Sequence, residues 1–361
     1  MELDEIFERG IDRDWQATDP ADVETLRFAI IGLGWFTRGR ALPALEDSEF
    51  CEATLLVSGS KEKANRIAKE SDSPARGITY DEFHDGVGAD EYDAVYIVTP
   101  NALHLDYVET AAELGKAILC EKPAERSSER TERLIETAEN HDVPLMVAYR
   151  MHTEPAVRRA REIIQAGLIG EPQTVRGSMS QRLLDRINDD PDQWRLNEAL
   201  AGGGALFDLG VYPLNTARFL LDADPVAVCG RTKRSHDAFD EVDETATFTV
   251  EFPNDVYATC FVSHNARQES ELVVTGTEGQ VAIRPAFFQD QARSLHVSRG
   301  AARAEIEFDI VDQMLEEFDH FAHQVRTDGE IYADGEHGLV DMYAMEAVYE
   351  SEQADGWVSL E

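Results

Sequence analysis

Arg27-Phe28-Ala29-Ile30-Ile31, followed by Gly32-Leu33-Gly34, is the stretch that decides the fold. The apolar run predicts a strand buried on both faces. Two glycines at its end, ahead of a predicted helix over 37–48, are typical of the turn that places a dinucleotide pyrophosphate on a helix N-terminus. The third position of this fingerprint is Thr37 instead of Gly or Ala, so the match is incomplete. Alone, such a segment is often only a turn.

The residues that follow repeat a strand–helix alternation. Predicted strands and helices succeed one another at 53–57, 61–70, 93–98, 104–114, 117–120, 128–140 and 145–148. Such alternation predicts a doubly wound parallel sheet, the Rossmann type of α/β fold. We assign this dinucleotide-binding domain to 26–149 and treat the polar, acidic residues 1–25 as an N-terminal extension.

The pattern changes after Tyr149. A predicted helix (155–166) and strand (173–182) precede Gly202-Gly203-Gly204, which opens a predicted helix over 207–220. Successive strands follow between 225 and 308, with clear period-two alternation in Thr245–Phe252, and helices are predicted over 311–326 and 336–352. The sequence therefore predicts a second, α+β domain over 150–361 with a mostly antiparallel, open-faced sheet. Helix 336–352 is assigned either to it or back onto the first domain.

The composition is strongly acidic. The formal net charge is −38, which excludes binding to nucleic acid by attraction to the phosphates. A disordered acidic tail is the bland alternative, but the acids are spread along the whole chain and 43% of the residues are hydrophobic. Evenly spread acids are typical of proteins that work in molar salt, where self-repulsion is screened. We therefore expect a halophilic protein.

Cysteines, termini and histidines bear on compartment and metals. The four cysteines are widely spaced in apolar contexts, which favours reduced cysteines in a cytoplasm. We find no signal peptide and no run of 18 apolar residues, so we expect neither export nor a membrane span. Histidines such as His236, His264 and His320 lack ligand spacing, so no metal is expected.

Glu121-Lys122-Pro123 stands where the strand over 117–120 ends. The chain has only six lysines against 27 arginines, yet one lies at this strand end. A lysine there can be desolvated and can titrate, which an arginine cannot. Open α/β sheets place their chemistry at the carboxyl ends of their strands, so Lys122 is a candidate catalytic residue.

The second predicted strand ends in Ser58-Gly59-Ser60-Lys61. An NAD site usually has an acidic residue here, which binds the ribose 2′-hydroxyl. The hydroxyls of Ser58 and Ser60 and the cation of Lys61 suit a 2′-phosphate instead. We therefore favour NADP over NAD, with the alternative that Lys61 is only a solvated residue at a helix start.

Further cofactor contacts are predicted around the same edge of the sheet. Trp35 and Phe36 lie in the glycine turn, and Thr99 and Asn101 end the third predicted strand. His104 follows them and is either a contact to the nicotinamide ribose or a structural residue of the first helical turn.

Asp208, Tyr212 and Asn215 are spaced i, i+4, i+7 after the glycine turn. If the segment is helical they share one face. An acid, a phenol and an amide on an otherwise apolar face are candidates for substrate contact. The alternative is a capping aspartate and a tyrosine hydroxyl at a buried edge.

Taken together, these motifs resemble the glucose–fructose oxidoreductase/inositol dehydrogenase family (Gfo/Idh/MocA). The resemblance covers about residues 26–353 and rests on Gly32/Gly34, Glu121-Lys122-Pro123, Gly202 to Gly204, Asp208 and Tyr212. It implies a Rossmann domain, a C-terminal α/β domain, and a carboxylate and phenol that act with the lysine. Thr37 departs from the family pattern.

The resemblance implies roles for these residues. Lys122, Tyr212 and Asp208 would be catalytic, with Lys122 favouring the phenolate of Tyr212 as base; which of the two accepts the proton stays open. Substrate contacts would come from Lys122, Tyr149, His152, Asp208, Tyr212 and Asn215. Cofactor contacts would include Glu121, Lys122, Arg150, Trp194 and Arg195.

A tyrosine four residues after the aspartate resembles the sugar-oxidising branch of the family. It implies NADP-dependent oxidation of an aldose, D-xylose foremost, at C1 to the lactone in pentose catabolism, by a homo-oligomer joined through the C-terminal sheet. Alternatives are a cyclitol or dihydrodiol dehydrogenase and a non-enzymatic NADP-sensing regulator.

Overall fold

The computed structural model describes residues 11, 13, 15, 18–71, 73–187 and 189–360, which form two compact units. The first unit contains the described part of 13–150 together with 312–339. The second contains residue 11, 151–311 and 340–360. Most of the predicted extension 1–25 lies outside the described residues, but Trp15 is buried in the first unit and its indole nitrogen donates to Glu316 Oε2 (2.9 Å).

The strands, in chain order, are Leu26–Ile31 (β1), Cys51–Ser58 (β2), Arg76–Thr79 (β3), Ala94–Ile97 (β4), Ala117–Glu121 (β5), Leu145–Ala148 (β6), Pro172–Arg182 (β7), Ala227–Lys233 (β8), Thr245–Phe252 (β9), Val256–Ser263 (β10), Asn265–Gly276 (β11), Gly279–Arg284 (β12), Arg293–Arg299 (β13), Ala302–Phe308 (β14) and Val358–Ser359 (β15). The helices are Leu42–Asp47 (α1), Lys61–Glu70 (α2), Tyr80–His84 (α3), His104–Glu113 (α4), Ser128–Asn140 (α5), Pro155–Gln165 (α6), Leu183–Arg186 (α7), Glu198–Ala201 (α8), Val211–Leu221 (α9), Gln313–Thr327 (α10) and Gly335–Ala354 (α11).

The first unit is built on a six-stranded parallel sheet with strand order β3-β2-β1-β4-β5-β6. This is the doubly wound order: β2 and β3 are added on one side of β1 and β4 to β6 on the other, so the switch point lies between β1 and β4. All four residues of β4 and five of six in β1 are buried, as the apolar runs predicted. The predicted α/β fold with a parallel Rossmann sheet is confirmed. Its carboxyl edge carries the glycine turn and Lys122.

The second unit contains a sheet with strand order β14-β13-β12-β11-β7-β10-β9-β8-β15 in the described residues. Only the β7–β10 pair among them is parallel. In β10 buried and exposed residues alternate, so one face packs on the core and the other is open. This confirms the predicted mostly antiparallel, open-faced sheet.

Two features differ from the sequence expectation. The short edge strand β3 and helix α3 were not predicted, because four residues with a glycine carry almost no periodicity. Residues 312–339 belong to the first unit. The sequence analysis assigned 150–361 to the second domain and considered only helix 336–352 for packing on the first. The physical reason is α10, whose Phe318 and Phe321 pack on Phe28 of β1 at ring-centroid distances of 5.3 and 6.0 Å.

A buried carboxylate holds the glycine segment of the second unit. Asp243 accepts hydrogen bonds from the backbone N–H of Gly204 (2.8 Å) and Leu206 (2.9 Å), and its carbonyl oxygen accepts from Ala205 N–H (2.9 Å). The phenol of Tyr349 donates to the same carboxylate (2.5 Å). Burial and the charge of Asp243 raise the pKa of Tyr349 well above its ordinary value, so the phenol stays a donor.

Gly204 is required by this contact. A Cβ at Gly204 would lie 2.0 Å from the carbonyl oxygen of Asp243, which is backbone and cannot move aside. The chain after it forms a π-helical turn, Leu206–Gly210, that leads into α9. Such turns are frequent at functional sites. Asp243 thus sets the start of the segment that carries Asp208 and Tyr212.

Asp243→Asn is expected to lower the free energy of unfolding by about 2 kcal/mol, because an amide nitrogen would face a backbone donor and two charge-assisted hydrogen bonds would weaken. Urea unfolding in molar KCl measures the change. Asp240→Asn, an exposed aspartate of the same loop, is the matched control and should leave unfolding unchanged. Equal stability of the two variants would contradict the role given to Asp243.

Candidate active site

The glycine turn after β1 has the form that a bound pyrophosphate needs. Gly32 has φ +101°, and a Cβ there would lie 2.6 Å from Val98 O, so only glycine fits. A Cβ at Gly34 would meet no atom within 4 Å, which leaves its backbone open to a phosphate. Thr37 Oγ1 donates to Gly32 O (2.6 Å), so the threonine closes the turn from the third fingerprint position. Trp35 beside it is exposed and Phe36 half-buried.

The end of β4 carries buried polar groups next to this turn. Thr99 and Asn101 are 8% and 5% exposed, and Thr99 Oγ1 has no hydrogen-bond partner in the described part of the chain. A buried hydroxyl without a partner is costly and indicates a group that arrives from outside the protein. Together with the open Gly34, it shows that the residues present fit a dinucleotide.

His104 is fully buried at the start of α4. Its Nδ1 lies 3.1 Å from Ala124 O and its Nε2 lies 3.1 Å from Thr99 O. The ring therefore links the loops that follow β4 and β5. These contacts favour the structural alternative for His104, and cofactor contact stays a prediction.

The end of β2 places the predicted hydroxyls and lysine differently. Ser58 is buried, and Ser60 caps α2 by accepting from Lys63 N–H (3.2 Å). Lys61 forms an ion pair with Glu82, whose other oxygen accepts from the backbone of Thr79. The charge of Lys61 is therefore already compensated, which weakens its case as the 2′-phosphate ligand.

Lys63, the third residue of α2, was not predicted. Burial first, and then the charges of Arg38 and Arg66, lower the pKa of Lys63. Arg38 stands in the helical turn that follows the glycines and is exposed. Crowded cations favour an anion among them, so Lys63 and Arg38 form a candidate phosphate site. The only sequence signal for Lys63 was its position two residues after Lys61, the lysine that we had chosen.

Lys122 follows β5 and is half-buried. The neighbouring carboxylate of Glu121 accepts from Tyr96 OH (2.5 Å) and from the backbone N–H of Lys122 (3.2 Å). The carboxylate of Glu121 thus fixes the backbone that carries the lysine. The cofactor contacts predicted for Glu121 and Lys122 stay predictions.

A second carboxyl, Glu317 of α10, belongs to the same unit and is 1% exposed. Burial, followed by the charge of Glu121, raises the pKa of Glu317 well above its ordinary value, while Arg150 opposes the shift. The guanidinium of Arg150 is buried and donates to Gln313 Oε1 of the same helix. Tyr149 is also buried, with its ring 5.7 Å from that of His337. The predicted roles of Tyr149 and Arg150 stay predictions.

Asp208 and Tyr212 are the two residues of 203–220 that are not buried. Asp208 lies in the π-helical turn and Tyr212 in the first turn of α9, with its ring 6.0 Å from that of Phe287. A segment that buries every neighbour and leaves an acid and a phenol accessible favours their use on a ligand. The predicted catalytic and substrate roles of Asp208 and Tyr212 stay predictions.

The carboxylate of Asp208 has a cation and an imidazole beside it. Arg195 Nε lies 3.5 Å and His264 Nε2 lies 3.4 Å from Asp208 Oδ2. Arg195 stacks over the ring of Trp194 at 4.4 Å. Trp194 and Arg195 were predicted to contact the cofactor, and that stays a prediction. The structure adds that Arg195 belongs to the surroundings of Asp208.

Asn215 and His152 lie in a buried polar network of the second unit. Asn215 Oδ1 is 2.7 Å from His152 Nε2, and Asn215 Nδ2 donates to Asp341 Oδ2 (2.8 Å). Arg218 Nη1 donates to the other oxygen of Asp341 (2.7 Å). Asn215 is 2% and His152 6% exposed. These bonds favour structural roles for both, although substrate contact was predicted.

Sequence reasoning missed Asp243, His264 and Glu317. All three contact residues far away in the sequence, and no spacing rule links them.

In the described residues no group of three or more His, Cys, Asp or Glu side chains is arranged to hold a metal ion. No described helix combines the length and apolarity needed to cross a bilayer. The four cysteines are free thiols.

Two family profiles match this chain. The one described as an oxidoreductase family with an NAD-binding Rossmann fold matches residues 26–149, and the GFO/IDH/MocA C-terminal domain matches residues 157–282.

Individual relatives agree with the profiles. The chain is 53% identical, over 98% of each chain, to D-xylose 1-dehydrogenase [NADP(+)] of Haloarcula marismortui. It is 30% identical, over 93% of this chain and 100% of the relative, to D-xylose 1-dehydrogenase (NADP(+)) 2 of Haloferax volcanii. Its fold is similar to that of aldose-aldose oxidoreductase from Caulobacter crescentus complexed with glycerol, with TM-score 0.87, 31% identity and 93% and 100% of the two chains covered. With both domains matched and a relative so similar along its whole length, the chain belongs to the GFO/IDH/MocA family of oxidoreductases.

Proposed function

We propose that this protein oxidises an aldose, D-xylose foremost, at C1 to the lactone with NADP. The observation that carries the proposal is the pair Asp208 and Tyr212, left accessible in a segment that is otherwise buried. The similarity to the Haloarcula D-xylose 1-dehydrogenase [NADP(+)] along 98% of the chain supports the choice of substrate and cofactor. Because D-xylose is a pentose, we assign the reaction to pentose catabolism.

The chemistry follows from the groups present. Bound NADP supplies the acceptor for the hydride that leaves C1. Tyr212 takes the proton of the C1 hydroxyl, so that the hydroxyl oxygen becomes the carbonyl oxygen of the lactone. A phenol is a weak base near neutrality, and Lys122 is assigned the positive charge that favours removal of the proton. Asp208 binds and orients the sugar hydroxyls as a hydrogen-bond acceptor.

The cofactor would be held by residues of the first unit. Gly32, Gly34 and Thr37 form the turn for the pyrophosphate, and Thr99 Oγ1 offers a polar contact. Lys63 and Arg38 would hold the 2′-phosphate that distinguishes NADP from NAD. This choice replaces Lys61, because Lys61 is paired with Glu82.

The conditions in which the protein works are part of the proposal. The net charge of −38 favours molar salt, and the named relatives come from Haloarcula and Haloferax. Four free thiols, three of them buried, suit a reducing cytoplasm.

We also assign a homo-oligomer joined through the open face of the sheet. Tyr257 and Phe261 of β10 are 37% and 43% exposed on that face, and Trp357 (48% exposed) lies edge-to-face with Tyr257 at 6.1 Å. Aromatic residues on one face of a central strand form an exposed apolar patch, which is typical of a protein–protein interface. A second copy of the chain is the occupant that suits a symmetric pairing of this patch with itself.

Tyr212→Phe is expected to lower kcat with D-xylose by about 100-fold or more, because the general base is lost. Binding of NADPH, followed by its fluorescence, should stay unchanged. Tyr343→Phe, an exposed tyrosine of the same unit, is the matched control. Near-wild-type turnover in Tyr212→Phe would remove Tyr212 as the base. Absence of NADP reduction by the wild type with any sugar would favour the NADP-sensing alternative.

Lys63→Ala is expected to raise KM for NADP by about 10-fold or more, since a charge-assisted contact to the 2′-phosphate is removed, and to leave KM for NAD nearly unchanged. Initial rates with both cofactors in molar KCl measure this. Lys69→Ala, at the other end of α2, is the matched control. A larger effect of Lys61→Ala than of Lys63→Ala would restore the assignment of Lys61.

Phe261→Glu is expected to halve the molar mass measured by light scattering in molar KCl, because a charge would be buried in the interface. Ile310→Glu, which changes an exposed residue outside the sheet, should keep the wild-type mass. A wild-type protein of about 40.3 kDa in solution would contradict the proposed oligomer.

A further inference from the structure

We propose that His264 is a positioning residue for the reaction, which holds the carboxylate of Asp208 through its Nε2 atom. This inference rests on the proposed aldose oxidation, in which Asp208 binds the sugar. His264 follows β10 directly and is 2% exposed, whereas the side chain of Asp208 is 23% exposed. A buried imidazole therefore stands behind an accessible carboxylate.

The backbone of His264 is fixed from two directions. Its N–H donates to Glu244 O (2.8 Å), and its carbonyl oxygen accepts from Leu183 N–H (2.8 Å). Glu244 precedes β9 and Leu183 begins α7, so two separate segments hold one residue. The Cα position of His264 is thus set independently of Asp208.

The ring of His264 also has an aromatic neighbour. It stacks on Phe239, with centroids 6.3 Å apart and planes 22° from parallel. Phe239 belongs to a small hydrophobic cluster with Leu183, Leu196 and Val242. Restricting the ring to this plane directs Nε2 to Asp208 Oδ2, 3.4 Å away.

Two nitrogen atoms approach one oxygen of Asp208, His264 Nε2 at 3.4 Å and Arg195 Nε at 3.5 Å. Both distances are longer than good hydrogen bonds, and catalytic hydrogen bonds often shorten only when the substrate is bound. Once these contacts shorten to hydrogen bonds, they would fix the rotation of the carboxylate about χ2 and so the direction in which Oδ1 presents its lone pairs. A positioned acceptor lowers the entropic cost of orienting a sugar hydroxyl.

Asn and Gln at position 264 test this role with matched chemistry. The amide nitrogen of Gln reaches the place of the imidazole Nε2, whereas that of Asn is too short to do so. His264→Asn is expected to lower kcat/KM for D-xylose by about 10-fold with KM for NADP unchanged, and His264→Gln to stay within about threefold of the wild type. His141→Asn, at an exposed helix end, is the control and should change neither constant.

A double-mutant cycle separates positioning from a general structural effect. If His264 acts through Asp208, adding His264→Asn to Asp208→Asn should lower kcat/KM by less than about twofold beyond Asp208→Asn alone. Losses that multiply in the double variant, or a His264→Asn variant with the wild-type rate, would overturn the proposal. So would a His264→Gln variant as slow as His264→Asn.

The failure of the proposed function looks different. A wild type that reduces NADP with no aldose would sink aldose oxidation. Thermal unfolding of the wild type, the two single variants and the double variant then tests the contact between His264 and Asp208 directly. Non-additive shifts in Tm would support the contact, and additive shifts would contradict it.

Discussion

The buried carboxylate of Asp243 is the constraint on which the glycine segment of the second unit depends. It accepts hydrogen bonds from two backbone N–H groups at the start of the π-helical turn and from the phenol of Tyr349. A charge buried this deeply is tolerated only when such donors surround it. Because a side chain at Gly204 would overlap the backbone of Asp243, the carboxylate and the glycine require each other. Asp208 and Tyr212 are accessible because the chain before them is fixed in this way.

The fold could be predicted because its signals are local. The apolar run of β1 and the two glycines predicted the turn after β1. Lys122 was proposed as catalytic from its place at a strand end, and that role stays a prediction. Thr37 departed from the fingerprint, yet its hydroxyl closes the turn onto Gly32 O, a bond that neither glycine nor alanine could make. The departure thus replaces close packing with a hydrogen bond.

Other residues could not be predicted, because long-range contacts decide what they do. The sequence gives no reason to prefer Lys61 or Lys63. In the structure Lys61 forms an ion pair with Glu82, which also caps the next helix. His264 lacks metal-ligand spacing and was set aside for that reason, yet its ring lies beside Asp208. Glu317 joins Glu121 and Arg150 only because α10 returns to the first unit. No periodicity encodes such pairings.

Asn215 shows where the helical-face argument stops. The spacing i, i+4, i+7 places three residues on one face, but a shared face implies shared access only if the helix has a solvent face. Residues 213–220 of α9 are all buried, so a polar side chain there must find its partners inside the protein. Asn215 and Arg218 do so through Asp341. Within 206–220 only Asp208 and Tyr212 are not buried, so we expect any ligand contact from this segment at these two residues.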